Sequence, residues 1–309
     1  MPTPIIFDCD PDHDDAFALL LAARAPELKL LAVTCVAGNQ TLEKVVLNAR
    51  RIMTVGEIRG VPLAAGMAEP LVRPLVTAPY AHGESGMDGH TFGPPDVDVV
   101  AEHAVDLIIR TVKESPDPVT LVPVGPLTNI AMAFRRAPDI KANIGRIVLM
   151  GGAAHLGNVT PAAEFNIYVD PEAAAVVFAS GLPITMVGLD ATHQARVQAA
   201  DRERIRALGT PVGTMVANLL EWFGAGSERR FGWDGAPVHD ALAVAAVIRP
   251  DLLQTKHINV VLETRGEYTA GRTVCDVWGM SGRQPNADVA LGVDREAFVE
   301  LLIAGLARY

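Results

Sequence analysis

Cysteine is scarce in this chain of 309 residues, which holds only Cys9, Cys35 and Cys275. Three thiols leave one over from any pairing, which excludes a disulfide-stapled secreted scaffold. Cys9 and Cys35 lie in apolar, strand-like runs, so buried thiols in a reducing compartment are expected. Basic residues are also in deficit, 26 Lys and Arg against 36 Asp and Glu, and the formal net charge is −10. No Lys/Arg cluster exists to follow a phosphate backbone, which excludes nucleic-acid binding. No apolar run approaches the roughly 18 residues that a membrane-spanning helix needs. The start, Met1-Pro2-Thr3-Pro4, enters an apolar run without a basic segment or a small-residue cleavage site, so a cytoplasmic protein is expected. Asn158-Val159-Thr160 fits a glycosylation sequon, which carries no meaning outside the secretory route. There is no internal repeat, linker or low-complexity segment. Residues 1–309 are therefore expected to form one large domain, with half of the residues hydrophobic and 20% charged.

Apolar runs and helical patterns alternate along the chain. Ile5 to Phe7, Leu28 to Val36, Pro62 to Gly66, Val119 to Val124, Arg146 to Met150 and Ile184 to Leu189 read as strands, mostly without polar alternation, as strands covered on both faces do. Helices are expected behind them, from about Ala16, Leu42 to Val55, Ala101 to Lys113, Pro126 to Arg136 and Pro171 to Ser180. Ala199 to Gly224 and Val238 to Ile248 follow as helical stretches, and Asp294 caps a last helix through Ala307. His257 to Leu262 and Arg272 to Val277 look like two edge strands. Residues 67–98 break the rhythm with five prolines and a glycine-rich His82 to Gly89 segment, too long a loop to be idle. The fold class expected is α/β: an open, mainly parallel mixed sheet, helices on both faces, Rossmann-like. Such sheets gather ligands at the carboxyl ends of their strands. Asp10, Asn39, Val124, Asn158 and Glu164 all fall at or just beyond such ends.

The first of these ends is the most unusual. Asp8-Cys9-Asp10-Pro11-Asp12-His13-Asp14-Asp15 packs five acids into eight residues between a strand and a helix. One acid suffices to cap a helix, and either Asp12 or Asp14 could do so. Five repel one another unless a cation neutralises them. Oxygen ligands without a His/Cys pattern point to calcium or magnesium rather than zinc.

Asp8-Cys9-Asp10-Pro11-x-x-Asp14-Asp15 resembles the signature of nucleoside hydrolases of the inosine-uridine-preferring type. Val36-Ala37-Gly38-Asn39, Pro123 to Asn129, Glu164-Phe165-Asn166, Val238-His239-Asp240 and Gly282 to Asn286 match further motifs in the family's order. The resemblance spans essentially the whole chain. It implies a nucleoside N-ribohydrolase that cleaves a nucleoside with water into ribose and free base. The cofactor it implies is Ca2+, held by Asp10, Asp15, the main-chain carbonyl of Val124 and Asp240. Asp10 is also the general base for a calcium-activated water. Asp14, Asn39, Asn158, Glu164 and Asn166 are placed around the ribose. Glu164 and Asn166 would share one face, with Phe165 on the other, if that segment is extended. His239 is implied as proton donor or positioner at the leaving base. The loop start at His82, with the aromatic group Trp222, Phe223, Phe231 and Trp233, could enclose the base. Trp222 and Phe223 could equally pack a helix on the core. A homodimer or homotetramer is implied.

The family carries Gly where this chain has Asp12, so Asp12 is expected to take a left-handed conformation. Asp8 is expected either to act directly or to brace the turn by accepting backbone amides. Two other readings stand beside the hydrolase. A haloacid-dehalogenase-type phosphatase would use Asp8 as a covalent nucleophile next to magnesium. A non-catalytic nucleoside-binding protein would keep the pocket without turnover.

Overall fold

The computed structural model describes residues 1–309. β1 (Thr3–Cys9) leads into α1 (His13–Arg24), β2 (Leu28–Cys35) into α2 (Leu42–Val55), and β3 (Leu63–Ala65) into a long connection containing α3 (Pro79–His82). Then come α4 (Ala104–Glu114), β4 (Val119–Pro123), α5 (Thr128–Arg136), β5 (Ile144–Met150), α6 (Phe165–Val169) and α7 (Pro171–Phe178). β6 (Ile184–Val187), α8 (Leu189–Thr192), β7 (Arg196–Val197), α9 (Ala199–Arg206) and α10 (Pro211–Phe231) follow. The chain closes with β8 (Ala236–Pro237), α11 (His239–Ile248), β9 (Leu253–Ile258), β10 (Val260–Leu262), β11 (Thr273–Cys275), β12 (Ala287–Val293) and α12 (Arg295–Leu306). No helix is long and apolar enough to cross a membrane.

Eight strands form one sheet in the order β3-β2-β1-β4-β5-β6-β12-β9, parallel throughout except at the β12–β9 edge. β1 sits between β2 and β4, and helices cover both of its faces. Alternate residues therefore feed two cores, which is why the middle of the strand, Ile5 to Phe7, is apolar at consecutive positions. Phe7 joins Phe17, Leu20, Leu242 and Phe298 on the side of α1, α11 and α12. Ile6 joins Ile108, Ile130 and Val177 on the side of α4, α5 and α7. From β1 the chain moves outward to β2 and β3, then returns to the opposite side of β1 with β4. Strand order reverses there, and the crevice at the carboxyl ends of β1 and β4 is the natural ligand position of such a sheet.

Three elements differ from the sequence reading. β12 is an interior strand between β6 and β9, although its sequence Ala287-Asp288-Val289-Ala290-Leu291-Gly292-Val293 has little β-branched character. The stretch expected as one strand through Leu262 is divided: β9 ends at the main sheet's edge, and β10 pairs with β11 in a separate ribbon. The 272–277 segment is thus no edge of the main sheet. Finally, the helical stretch from Ala199 is two helices, and α10 runs past Gly224 to Phe231, where Gly232 ends it at φ 67°.

Asn286 holds the branch point between the two sheets. Its side chain acts as a strand would: Oδ1 accepts from Val260 N–H at 2.7 Å and Nδ2 donates to Val260 O at 2.9 Å. Its own N–H donates to Ile258 O at 3.1 Å. Asn286→Ala leaves two backbone groups of Val260 unpaired and is expected to cost about 2 kcal/mol. Urea unfolding measures this as a lower midpoint at unchanged slope; an unchanged midpoint would mean that water replaces the amide.

Candidate active site

β1 carries its acids into the crevice, where each meets a different environment. Asp8 is fully buried, and its Oδ1 accepts from Thr34 Oγ1 at 2.6 Å and Asn129 Nδ2 at 2.8 Å. Side-chain donors, not backbone amides, hold it. Burial raises its pKa to about 7 against these two bonds. Asp8 lies beneath the turn, braced by side chains from β2 and α5, and does not border the cavity. Asp10 is also fully buried. Asn39 N–H donates to its Oδ2 at 2.7 Å, while Oδ1 has no partner. Glycines let the chain close on this carboxylate from both sides: a Cβ at Gly38 would overlap Oδ2, and one at Gly125 would lie 2.5 Å from Oδ1.

Asp12 does not adopt the left-handed conformation. Its φ is −125° and ψ −147°, extended backbone open to any residue, so it carries no strain that glycine would relieve. Instead it caps α1. Oδ1 accepts from Asp14 N–H at 3.0 Å, and Asp15 Oδ2 returns the bond to Asp12 N–H at 3.1 Å. Asp15 Oδ1 accepts from Asp10 N–H at 3.2 Å. Asp14 Oδ2 accepts from His239 N–H at 3.0 Å, fastening the start of α11 to the start of α1.

Carboxylate oxygens of Asp12, Asp14, Asp15 and Asp240 lie within 4.8 Å of one another, all buried. Burial, then mutual repulsion, pushes Asp10, Asp12 and Asp240 well above the usual carboxylate range, and Asp15 to about 7. Burial acts on Asp14 as well, but His239, the Asp12 contact and His82 outweigh it and hold Asp14 low. A cation removes this repulsion. All-oxygen donors and the orphaned Asp10 Oδ1 fit a hard divalent metal ion.

Above the acids opens a cavity of about 410 Å³. Asp12, Asp14, Asn39, Val124 and Asp240 border it from below, whereas Asp10 and Asp15 lie behind that floor. Asn158, Glu164, Phe165 and Asn166 border one side. The segment 164–166 is not extended. Glu164 caps α6, its two oxygens accepting from Asn166 N–H at 2.9 Å, Gly152 N–H at 2.8 Å and Ile167 N–H at 3.2 Å. Burial raises its pKa to about 7 against these bonds. Asn166 Nδ2 donates to Val124 O at 2.7 Å and to Met150 O at 3.2 Å, tying the ends of β4 and β5. Asn158 Oδ1 accepts from Phe165 N–H at 3.0 Å.

His82, Phe223, Phe231, Trp233 and His239 border the other side. His239 Nδ1 lies 2.7 Å from Thr192 Oγ1, and burial lowers the ring's pKa against the pull of Asp14. Trp233 stacks on Phe231 with centroids 4.4 Å apart. Trp222 is not at the cavity and packs on His13, so the aromatic group divides between lining and core. Tyr80, His193 and Arg230 also border the cavity without having been anticipated. His193 ends α8, the short helix after β6, so the strand-end rule does not reach it. Arg230 gave no signal: its guanidinium lies over Tyr80 at 5.0 Å and donates to Asn158 O at 3.1 Å, contacts between distant segments.

The glycine packing around Asp10 is open to measurement. Gly38→Ala is expected to destabilise the protein by about 2–4 kcal/mol through overpacking against a buried carboxylate. Gly93→Ala, with open space around its Cβ position and no positive φ, is expected to change stability by less than about 1 kcal/mol. Equal midpoints for both variants in denaturant titration would show that Asp10 has room to move.

Residues 5–300 match the inosine-uridine preferring nucleoside hydrolase family. The pyrimidine-specific ribonucleoside hydrolases RihA of Salmonella agona and Citrobacter koseri are each 48% identical over 310 residues, covering all of this chain and 100% and 99% of theirs. A purine-preferring ribonucleoside hydrolase from Gardnerella vaginalis superposes with a TM-score of 0.92 at 34% identity, over 99% of this chain and 98% of that one. Relatives named for opposite base preferences thus resemble this chain over essentially its full length. The chain belongs to the inosine-uridine preferring nucleoside hydrolase family and is a hydrolase of ribonucleoside N-glycosyl bonds.

Proposed function

We propose that this enzyme hydrolyses pyrimidine ribonucleosides, with Asp10 as general base and a calcium ion held by Asp10, Asp15, Asp240 and the Val124 carbonyl. The observation that carries the catalytic half is the unpartnered Asp10 Oδ1, buried at the β1–β4 switch point among carboxylates that repel one another. The pyrimidine half follows the full-length likeness to the two RihA proteins. Calcium, when bound, supplies positive charge that keeps these acids ionised and makes a nearby water more acidic.

Asp10 Oδ1 takes the proton of the attacking water as its oxygen bonds to the anomeric carbon and the bond from that carbon to the base nitrogen breaks. Charge develops on the sugar as an oxocarbenium-like transition state, which the surrounding carboxylates stabilise. Asp14, Asn39, Asn158, Glu164 and Asn166 orient the ribose hydroxyls. Glu164 and Asn166 are themselves fixed by backbone contacts, so little ordering remains for the moment of binding. His239 faces the departing base. Its Nδ1 is engaged by Thr192, and Nε2 is the atom left to hydrogen-bond the leaving nitrogen while that nitrogen takes its proton from solvent water. Phe165 and Trp233 supply apolar surface, with His82 closing the far side. The thiols of Cys9, Cys35 and Cys275 are unpaired, which supports a cytoplasmic enzyme. The family resemblance supports a homodimer or homotetramer built from single-domain chains.

Asp10→Asn is expected to lower kcat on uridine about a thousandfold, the worth of a positioned general base. In the native protein, saturating calcium after chelation should raise the melting temperature by about 5 °C, and in Asp10→Asn by clearly less. Near-native turnover in the variant would remove Asp10 from the chemistry, and a native melting temperature indifferent to calcium would remove the metal.

His239→Ala should slow uridine at least about a hundredfold more than p-nitrophenyl riboside, whose leaving group departs without a proton. Equal losses on the two substrates would make His239 a structural link between α8 and α11.

A further inference from the structure

His13 stands in the acidic turn, yet it takes no part in the helix cap or in the four-carboxylate group. Its ring is fully buried. It stacks on Trp222, with centroids 4.8 Å apart and planes at 6°, and on Phe223, at 5.3 Å and 12°. Both of its nitrogens reach the loop that follows β3. Nε2 lies 2.8 Å from the carbonyl oxygen of Asp88, and Nδ1 lies 3.4 Å from Nδ1 of His82.

These contacts settle where the protons sit. A carbonyl oxygen only accepts, so Nε2 of His13 carries a hydrogen. Two ring nitrogens that face each other share one proton, and Asp12 decides which of them holds it. Once a cation keeps Asp12 ionised, its Oδ2, 3.1 Å from Nδ1 of His82, leaves no place for a lone pair there. The proton therefore belongs to Nδ1 of His82, which shares it between Asp12 Oδ2 and, at 3.4 Å, Nδ1 of His13. Burial in apolar, aromatic surroundings leaves each ring with a single proton. Nε2 of His82 is then a bare lone pair, on a residue that borders the cavity, and no protein group bonds to it.

We propose that His13 is a positioning residue: through the Asp88–His13–His82–Asp12 relay it presents Nε2 of His82 as a hydrogen-bond acceptor to an N–H on the nucleobase. The fitting ligand is a base with a ring N–H on the edge away from the sugar, such as the N3–H of uracil. This inference rests on the reading of the cavity as a nucleoside site. It gives the two cavity histidines opposite duties, His239 donating a hydrogen bond to the leaving nitrogen and His82 accepting from the base's distal edge. It also explains a fully buried histidine within an otherwise acidic turn. A residue there must stack on α10 and offer one donor and one acceptor in opposite directions, which neutral imidazole does.

The test compares uridine, 3-methyluridine and p-nitrophenyl riboside in the native enzyme and in His13→Phe, which keeps an aromatic ring on Trp222 and Phe223 but loses both nitrogens. Relative to p-nitrophenyl riboside, kcat/KM for uridine is expected to fall about tenfold in the variant, the worth of one hydrogen bond. The same ratio for 3-methyluridine, which has no N3–H to offer, should change by less than about threefold. His13→Asn should restore much of the uridine activity, because its amide oxygen accepts where Nδ1 did. Equal losses on all three substrates would overturn the proposal and reduce His13 to loop support. Equal losses on both nucleosides, with p-nitrophenyl riboside spared, would overturn it by making His82 a proton donor to the leaving base. Absence of p-nitrophenyl riboside turnover in the native enzyme would instead sink the hydrolase reading on which the proposal stands.

Discussion

Electrostatic repulsion among buried carboxylates governs the architecture of this protein. Asp10, Asp14, Asp15 and Asp240 are almost completely removed from water, and of the four only Asp14 has basic side chains, His239 and His82, to offset its charge. Such a group persists only where surrounding structure over-determines it, and the fold supplies that constraint at several levels. β1 is fixed by two parallel neighbours. Backbone amides of residues 10, 12, 14 and 39 point into the acids, and the α1 N-terminus adds a favourable dipole. Even so, the repulsion is only partly compensated, and the remainder is the free energy that draws in a cation. The site's affinity for metal and the cost of its folding are one quantity seen from two sides.

Around that point the cavity is assembled from chain segments that are far apart in sequence. Asp14 on α1 accepts the N–H of His239 on α11, and Asn166 on α6 donates to the carbonyl of Val124 at the end of β4. Each bond joins two walls of the cavity, so the polar groups that line it are held by one another before a ligand arrives. This preorganisation is what allows a small number of hydrogen bonds to favour a transition state over a ground state. The other end is built differently. There the lining is aromatic faces and imidazoles from α3, α10 and the connection to α11.

The sequence was most readable where a strand ends in polar residues. Asp10, Asn39, Val124, Asn158 and Glu164 were all marked by that rule, and all but Asp10 border the cavity. Asp10 lies just beneath it, since only the chain's closing glycines show how deep it sits. Elements with strong local patterns were equally legible: a buried parallel strand reads as apolar at every position because both of its faces are covered, and that needs no knowledge of its neighbours. Reading failed where local signals were weak or ambiguous. β12 has Ala, Gly and Asp in place of β-branched residues, and only pairing with β6 and β9 makes it a strand. Glu164 could alternate in a strand or cap a helix. The N–H groups of Gly152, Asn166 and Ile167 decide for the cap, and the first of these lies back at the start of the connection that ends at Glu164.

By itself the sequence determined the α/β class, the alternation of strands and helices from β1 to β6, the acid-rich turn and the family to which the chain belongs, because each of these is written in residues adjacent along the chain. Tertiary structure alone decided the conformation of Asp12, the sealing of Asp8 beneath the turn, the sheet position of β12 and the direction of the protons between His13 and His82. Apart from Asp12, whose cap with Asp14 and Asp15 is local, those depend on contacts between residues tens to hundreds of positions apart, such as Asp8 with Asn129. A hydrogen bond has polarity only when both of its ends are in place, and no local pattern in a sequence specifies the far end.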